Sequence, residues 1–446
     1  MPDASKGQFP RGPANSTYSI LFGERRQDPL AFFTRLAREY GDVTGLKLLN
    51  FRTLFISHPD DIEDMLVNKA RSFEKGRVMK ANMRLFGEGL LTSEGDFWLR
   101  QRRLAQPAFH RARVAAYGAT MVEYAERAMR DWRDGETRDI HEAMMQITLQ
   151  VVGKTLFNTD LAHDAREVGE TLETLLKLAA DFGKSILIPL WVPTPRNLRA
   201  RIGVRRIEKI IYRIIKQKRA EARDTGDLLS MLLAVQDEDG SRMTDKQLRD
   251  ETITLFLAGH ETTANALSWT IWLLARNPRA NLKFLDELDG ILAGRAPSFE
   301  DIPKLAYTAH VLAESMRLYP PAWGMARLAK EPVEVAGYKL VPGNGIACAQ
   351  WVVHRDPRWF EEPEKFIPER WEGDLAKRLP RFAYFPFGGG PRQCIGNSFA
   401  LMEATLILAT VAQRFRFRID ENHPVKPLAS ITLRPAHGIR ATLEAR

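Results

Sequence analysis

The stretch Phe385-Pro-Phe-Gly-Gly-Gly-Pro-Arg-Gln-Cys394-Ile-Gly396 sets one thiol between a glycine-rich turn and a long helical pattern, and it constrains the chain more than any other segment. From Ile395 onward Phe399, Leu401, Met402, Thr405, Leu406, Leu408, Ala409, Ala412 and Phe415 recur at helical spacing, so Cys394 lies where a helix begins. Unpaired N–H groups and the positive end of the helix dipole favour a thiolate there, and a thiolate is both a nucleophile and a soft metal ligand. Arg392 adds positive charge two residues away. Two plainer readings stand beside this one: a lone cysteine is often a small buried hydrophobe, and three glycines make a turn. A phosphate loop is excluded, because no Gly-Lys-Ser/Thr ending follows and residue 393 is Gln. Zinc is excluded because no second cysteine or histidine lies at ligand spacing.

What remains is a single axial thiolate, which iron in a porphyrin can use because the macrocycle supplies the other ligands. Phe387, Gly390, Arg392, Cys394 and Gly396 each occupy a position of an F-x-x-G-x-R-x-C-x-G pattern. The stretch resembles the haem-binding signature of the cytochrome P-450 family, soluble bacterial type. That resemblance implies haem b, with Cys394 as the iron ligand and Phe387, Arg392 and Gly396 beside the cofactor.

A length of 446 residues would by itself correspond to about three domains of roughly 150 residues. No Pro/Ser/Gly-rich or charge-only tract interrupts the interior and no self-similar period appears, so one large, mainly helical domain fits better. With 44% hydrophobic residues the chain can fill a large core. The two cysteines, Cys348 and Cys394, make no disulfide framework and point to a reducing compartment. Residues 1–19 lack the charged start and apolar run of a secretory signal, and no run approaches the roughly 18–20 apolar residues of a membrane span. The expected location is the cytoplasm. A net charge of +9 would suit nucleic acid, anionic lipid or an acidic protein, and composition does not choose among them.

In chain order, Pro29 to Tyr40 carries Leu30, Phe33, Leu36 and Ala37 on one face and predicts a short helix. Val43–Leu48 and Thr53–Ile56 predict a hairpin at the edge of a small sheet, and His58-Pro59 opens a helix through Asn68. Gly87, Gly89 and Gly95 predict a loop over 78–97. Trp98 and Arg102 follow four apart on a helix, facing the same way, and would suit a carboxylate. Helical patterns cover 111–132, 140–157 and 164–182, and residues 186–193 form an apolar, proline-broken loop. From Arg196 to Arg223 eleven Lys/Arg face Glu208 and Glu221, with an apolar stripe at Ile207, Ile210, Ile211, Ile214 and Ile215. An ordinary amphipathic helix explains this, anionic-lipid contact less well, and it also resembles the family's lid over the substrate channel.

Thr244 to Arg276 reads as a long helix whose middle, Leu255-Phe-Leu-Ala-Gly-His-Glu-Thr-Thr263, is locally unfavourable for a helix. Misfits of that kind mark functional sites. A zinc-protease start at His260-Glu261 fails because residue 264 is alanine. Glu314 and Arg317 sit at i,i+3 on a helix, and alone would be an ordinary ion pair. Val333–Val341 alternates as strands do, and Ile431-Thr-Leu-Arg supplies another short strand.

The resemblance, running from about Pro29 to the C-terminus, adds roles to these segments. It implies residues 1–28 as an N-terminal arm and 29–446 as one haem domain, α-rich with small β-sheets, the haem lying between a long distal helix and the proximal cysteine helix. Trp98, Arg102 and Arg327 would hold propionates. Ala258 and Gly259 would leave space for dioxygen, Thr262 would hydrogen-bond the reduced oxygen and Glu261 would join a proton relay. Leu90, Leu91, Leu255, Ala258, Gly259, Ala322, Met325 and Ile431 would line the substrate pocket. Arg370 would complete a buried triad with Glu314 and Arg317, with Trp371 a mild departure from the commoner Phe. The implied enzyme is a monooxygenase for a hydrophobic substrate such as a fatty acid, terpenoid or steroid. It would be a monomer taking electrons from NAD(P)H through a ferredoxin or flavodoxin, docked near Arg100, Arg103, Lys377, Arg378 and Arg381, with no nucleic acid and no membrane span. A peroxide-driven or isomerase-like member, and a non-catalytic haem sensor or electron carrier, are the alternatives; the intact Glu261-Thr262 pair speaks against the first.

Overall fold

The computed structural model describes residues 9–14, 23–158, 169, 171, 174, 175, 192–221, 226–236, 240 and 242–446. The chain crosses repeatedly between two compact units, one built from Met1–Lys80 and Ala313–Cys394, the other from Ala81–Leu312 and Ile395–Arg446. The mainly helical architecture with several small sheets matches the expectation from sequence. The helix expected over 164–182 and the loop at 186–193 lie almost wholly outside the described residues.

In the first unit Asp28 starts the helix Pro29–Tyr40 by accepting from the Ala31 amide at 3.0 Å, and Pro29 sits where its missing N–H costs nothing. Strands Val43–Leu48 and Phe51–Ile56 pair antiparallel with Leu48 opposite Phe51, and the first is an edge. The second pairs parallel with Gly345–Cys348, followed by Met325–Ala329 and Phe73–Lys75 to complete five strands. Side chains alternate across a strand, so Phe55 packs with Phe32, Phe33 and Leu36 on one face while Leu54 and Ile56 join Met65, Leu66, Ile346 and Phe385 on the other. One short strand thereby closes two cores.

The same unit holds a buried charge cluster. Glu314 and Arg317 are fully buried, and Arg317 donates to both Glu314 oxygens at 2.8 and 2.9 Å. Arg370 Nε at 2.9 Å, the Ile367 amide at 3.0 Å and the Trp371 indole N–H at 2.9 Å add three donors to the same carboxylate. Trp371 is therefore a fifth donor, where the sequence read it only as a substitute for Phe. Remaining guanidinium hydrogens of Arg317 go to the carbonyls of His354, Pro363 and Lys365.

Two sequence expectations give way here. Residues 77–86 are a helix, Arg77–Phe86, and not loop, because the breaking glycines begin only at Gly87. The short strand near Ile431 is Leu433–Pro435, with Ile431 in the bend before it.

The second unit is organised around the helix Asp245–Arg276, started by a capping box between Thr244 and Gln247. Against it pack Ile140–Phe157, through the Phe157–Phe256 stack at 4.3 Å, and the helix Asn397–Arg414. The run expected as helical over 111–132 is broken at Tyr117 into Arg111–Ala116 and Gly118–Ala128. Strands Thr137–Asp139, Arg440–Ala445 and Phe415–Ile419 form a three-stranded sheet in that order. Glu403, on Asn397–Arg414, is fully buried; burial pushes its carboxyl up to about 8, partly opposed by the neighbouring Thr263 hydroxyl.

Two outcomes follow from these buried groups. Glu314→Ala leaves the Arg317 cation buried without its counter-ion and is expected to cost about 3–5 kcal/mol in urea unfolding; a loss below about 1 kcal/mol, the range of exposed pairs, would show that the cluster contributes little. For Glu403 the folded state keeps a proton that the unfolded chain, titrating near the ordinary 4.5, has released, so stability falls as pH rises from there toward about 8. Glu403→Gln should flatten that decline, read as urea midpoints at the two ends of the interval. Parallel pH profiles for wild type and variant would mean Glu403 is not protonated in the folded protein.

Candidate functional site

In the first unit the chain reaches Cys394 through a tightly held loop. The Phe385 amide donates to His354 Nε2 at 3.0 Å, which fixes that imidazole as the neutral tautomer with its proton on Nδ1. Burial, aided by the Arg317 and Arg355 cations, holds His354 down to about 3. Tyr384 donates to the Ala313 carbonyl at 3.0 Å, and the Cys394 amide to the Phe387 carbonyl at 3.0 Å. At Gly390 the backbone has φ +68°, and a Cβ would come 1.8 Å from the Leu66 carbonyl oxygen, so only glycine fits. The loop ends with the Cys394 thiol exposed, two residues before Gly396 caps the helix Asn397–Arg414.

The other cysteine is its opposite. Cys348 is buried in the sheet, and loss of hydration pushes its thiol up to about 12 despite the opposing Arg327 charge. Of the remaining predicted residues in this unit, Arg327 lies on the strand Met325–Ala329 and donates to the Ala326 carbonyl at 3.0 Å. Met325 reaches the glycine loop, since a Cβ at Gly388 would lie 3.5 Å from its terminal methyl. Ala322 is exposed, and Phe387 and Arg392 are half-buried.

In the second unit the helix Asp245–Arg276 is buried from Leu248 to Leu257 and again from Thr263 to Ile271, whereas Ala258 is exposed and Gly259 and Thr262 are half-buried. Ala258 and Thr262 are four apart and share a face; the Thr262 hydroxyl donates to the Ala258 carbonyl at 2.7 Å. Gly259 points elsewhere. A Cβ there would meet Val152 at 3.0 Å, so its small size permits the close approach of Ile140–Phe157. Glu261 is buried and accepts from the Thr432 hydroxyl at 2.7 Å, and Thr432 in turn accepts from Asn265 at 3.2 Å. His260, whose Nδ1 donates to the Phe256 carbonyl at 2.6 Å, is held by burial down to about 4 and stays neutral.

Leu90 and Leu91 are half-buried in a turn clamped to the same helix. Buried Asp250 and Glu251 accept from the Glu88 amide at 2.9 Å and the Leu90 amide at 3.0 Å. Gly89 is required there, because a Cβ would lie 2.2 Å from the Thr254 hydroxyl. Leu255 is buried, Ile431 half-buried next to Thr432, Trp98 buried and Arg102 half-buried one turn further along Gly95–Ala105. Gly396, half-buried, begins the helix that carries Glu403.

A family model described as Cytochrome P450 matches residues 10–440. The chain belongs to the cytochrome P450 family. It is 38% identical over 95% of its length to Cyclooctatin synthase of Streptomyces melanosporofaciens, covering 92% of that protein. It is 37% identical to Cyclooctat-9-en-7-ol 5-monooxygenase of the same organism, over 87% of this chain and 85% of the relative. Against Pentalenene oxygenase of Streptomyces avermitilis the identity is 33%, over 94% and 93%. The protein is thus a P450 monooxygenase, inserting oxygen from O2 into a hydrophobic small molecule with haem and a redox partner.

The residues present fit a haem. A haem of this family would need a reachable thiol as donor: Cys394, on a loop shaped by Gly390, is exposed and could hold the iron, whereas Cys348 is buried. Among the described residues no cluster of His, Cys, Asp and Glu competes as a metal site.

His354 and Thr432 were not singled out from sequence. Their partners, Phe385 and Glu261, lie 31 and 171 residues away, and no local pattern announces either. Thr432→Val removes the donor to Glu261 while keeping the side-chain shape. The expected result is unchanged substrate-induced spectral shift with more hydrogen peroxide released per NAD(P)H. Unaltered coupling would detach Thr432 from proton handling.

Proposed function

We propose that Cys394 ligates the iron of haem b in a single haem domain spanning 29–446, and that the protein hydroxylates a terpenoid-like hydrophobic substrate. The observation carrying this reading is the contrast between the two cysteines: one thiol exposed at the end of a pinned loop, the other buried and held protonated. Trp98, Arg102 and Arg327 are assigned to the haem carboxylates, with Phe387, Arg392 and Gly396 beside the thiolate. When bound, the haem supplies oxygen binding and O–O cleavage, which a thiolate ligand favours.

The chain's own side chains do the rest. The neutral His354 holds the loop at Phe385, and the Cys394 amide is held in turn by the Phe387 carbonyl. Glu261, tied through Thr432 to Asn265, can hold and release a proton next to Thr262. The Thr262 hydroxyl, at present donating to Ala258, can pass a proton at Oγ1 by rotating about one bond. Leu90, Leu91, Leu255, Ala258, Ala322, Met325 and Ile431 are apolar and are assigned to orienting the substrate and excluding water; Gly259 joins them only through its backbone. Among fatty acids, terpenoids and steroids, the terpenoid class is preferred because relatives bear the names of cyclic alkenes and their alcohols.

Electrons are assigned to NAD(P)H through a ferredoxin or flavodoxin in the cytoplasm, the P450 acting as a monomer. Arg103 and Arg378 are exposed and are assigned to accelerating that encounter. Lys377 pairs with Asp374 at 2.8 Å and Arg381 with Glu63 at 3.1 Å, which lowers their share of the attraction.

Cys394→His is expected to keep haem but lose the red-shifted band of the reduced carbon monoxide complex; persistence of that band would remove Cys394 as ligand. Thr262→Ala should bind substrate normally and divert most reducing equivalents into hydrogen peroxide. If product per NAD(P)H were unchanged, Thr262 would not be the proton-delivering hydroxyl. A spectral-shift screen of cyclic terpenes against fatty acids and steroids tests the substrate class.

A further inference from the structure

The helix Pro195–Glu221 presents an outward face that the reaction does not use. Its inner side is buried along Ile207, Ile210, Ile211, Ile214 and Ile215. On the outer side Leu198, Ile202, Arg205, Lys209, Tyr212 and Lys216 succeed one another every three or four residues, and all are exposed. Leu198 is 44%, Ile202 51% and Tyr212 41% exposed, apolar area that costs free energy in water. Arg199, Arg201 and Arg206 flank the stripe and are exposed as well. The helix has two acidic residues, and both are engaged elsewhere: Glu208 with Arg249 at 2.7 Å, Glu221 with Lys218 at 3.4 Å.

We propose that this face docks on anionic phospholipid bilayers. Over 27 residues the helix offers a platform about 40 Å long. It combines the two elements of an interfacial helix, cations for lipid phosphates and apolar side chains able to enter the headgroup boundary. Nucleic acid would answer the charges and leave Leu198 and Ile202 in water. The contact is peripheral, since no described helix is long and apolar enough to cross a membrane. It would bring the protein to the phase in which apolar substrates accumulate.

The test is flotation of the haem-loaded full chain with vesicles of mixed phosphatidylglycerol and phosphatidylcholine, against phosphatidylcholine alone, at low and high salt. Binding should require the anionic lipid and weaken with salt. Removing one cation from the contact is worth about fivefold in partition, so the R205E/K209E/K216E variant should bind roughly a hundredfold less or weaker still. The L198S/I202S variant should also bind less, while keeping the salt dependence. The carbon monoxide spectrum of each variant reports whether the haem fold is intact, independently of vesicle binding. Equal binding to neutral and anionic vesicles overturns the proposal, as does an unchanged partition for either variant. So does preference for duplex DNA or polyglutamate over the anionic vesicles.

Discussion

A carboxylate removed from water has to be satisfied on all sides or it destabilises the fold, and Glu314 meets that demand with five donors. The consequences spread outward from it. Arg317, locked by Glu314, binds the carbonyl of His354, and the His354 ring accepts the Phe385 amide. The loop ending at Cys394 is therefore the far end of a hydrogen-bond chain that starts at one buried charge. Such networks are worth more intact than the sum of their bonds, and a single missing member leaves the others unpaired. Placement of the thiol is thus a property of the first unit's scaffold as well as of the motif around it.

The second unit follows the same rule with smaller groups. Its long helix buries Asp250, Glu251 and Glu261, each facing a defined donor: the amides of Glu88 and Leu90, and the Thr432 hydroxyl. A helix optimised for stability would carry leucine or alanine at those places. Here the polar positions hold a turn and a strand end against one helix, and they leave Ala258 and Thr262 outside the buried surface. Local destabilisation in the helix is offset by contacts made far away in sequence.

Much of this was readable in advance wherever the signal is local. Pro29–Tyr40 and Ile140–Phe157 follow from their helical patterns, and the turn before Cys394 from glycines whose role the Gly390 contact with Leu66 makes concrete. What escaped is what depends on distant partners. Nothing around residue 354 or 432 distinguishes a neutral imidazole or a hydroxyl that completes a network from an ordinary core residue. Trp371 passed as a stand-in for Phe until its indole N–H was found on Glu314. Gly259 read as open space, yet its direction depends on Val152 from another helix. Arg77–Phe86 was hidden by the glycines that follow it, which mark where a helix stops and say little about what precedes them.

The interleaving of the first unit has a consequence for biosynthesis. Phe55 finds its parallel partner Ala347 about 290 residues later, a delay of roughly 15–60 s at ordinary translation rates. During that time the Phe51–Ile56 edge of the hairpin is unpaired as well as that of Val43–Leu48; the Pro29–Tyr40 helix can cover the Phe55 face, while Met65 and Leu66 cover only part of the Leu54 and Ile56 face until Ile346 and Phe385 are made. An unpaired edge of this composition is a template for association with other nascent chains. Yield in a foreign host should therefore depend on chaperone supply and growth temperature during synthesis more than on the stability of the finished enzyme.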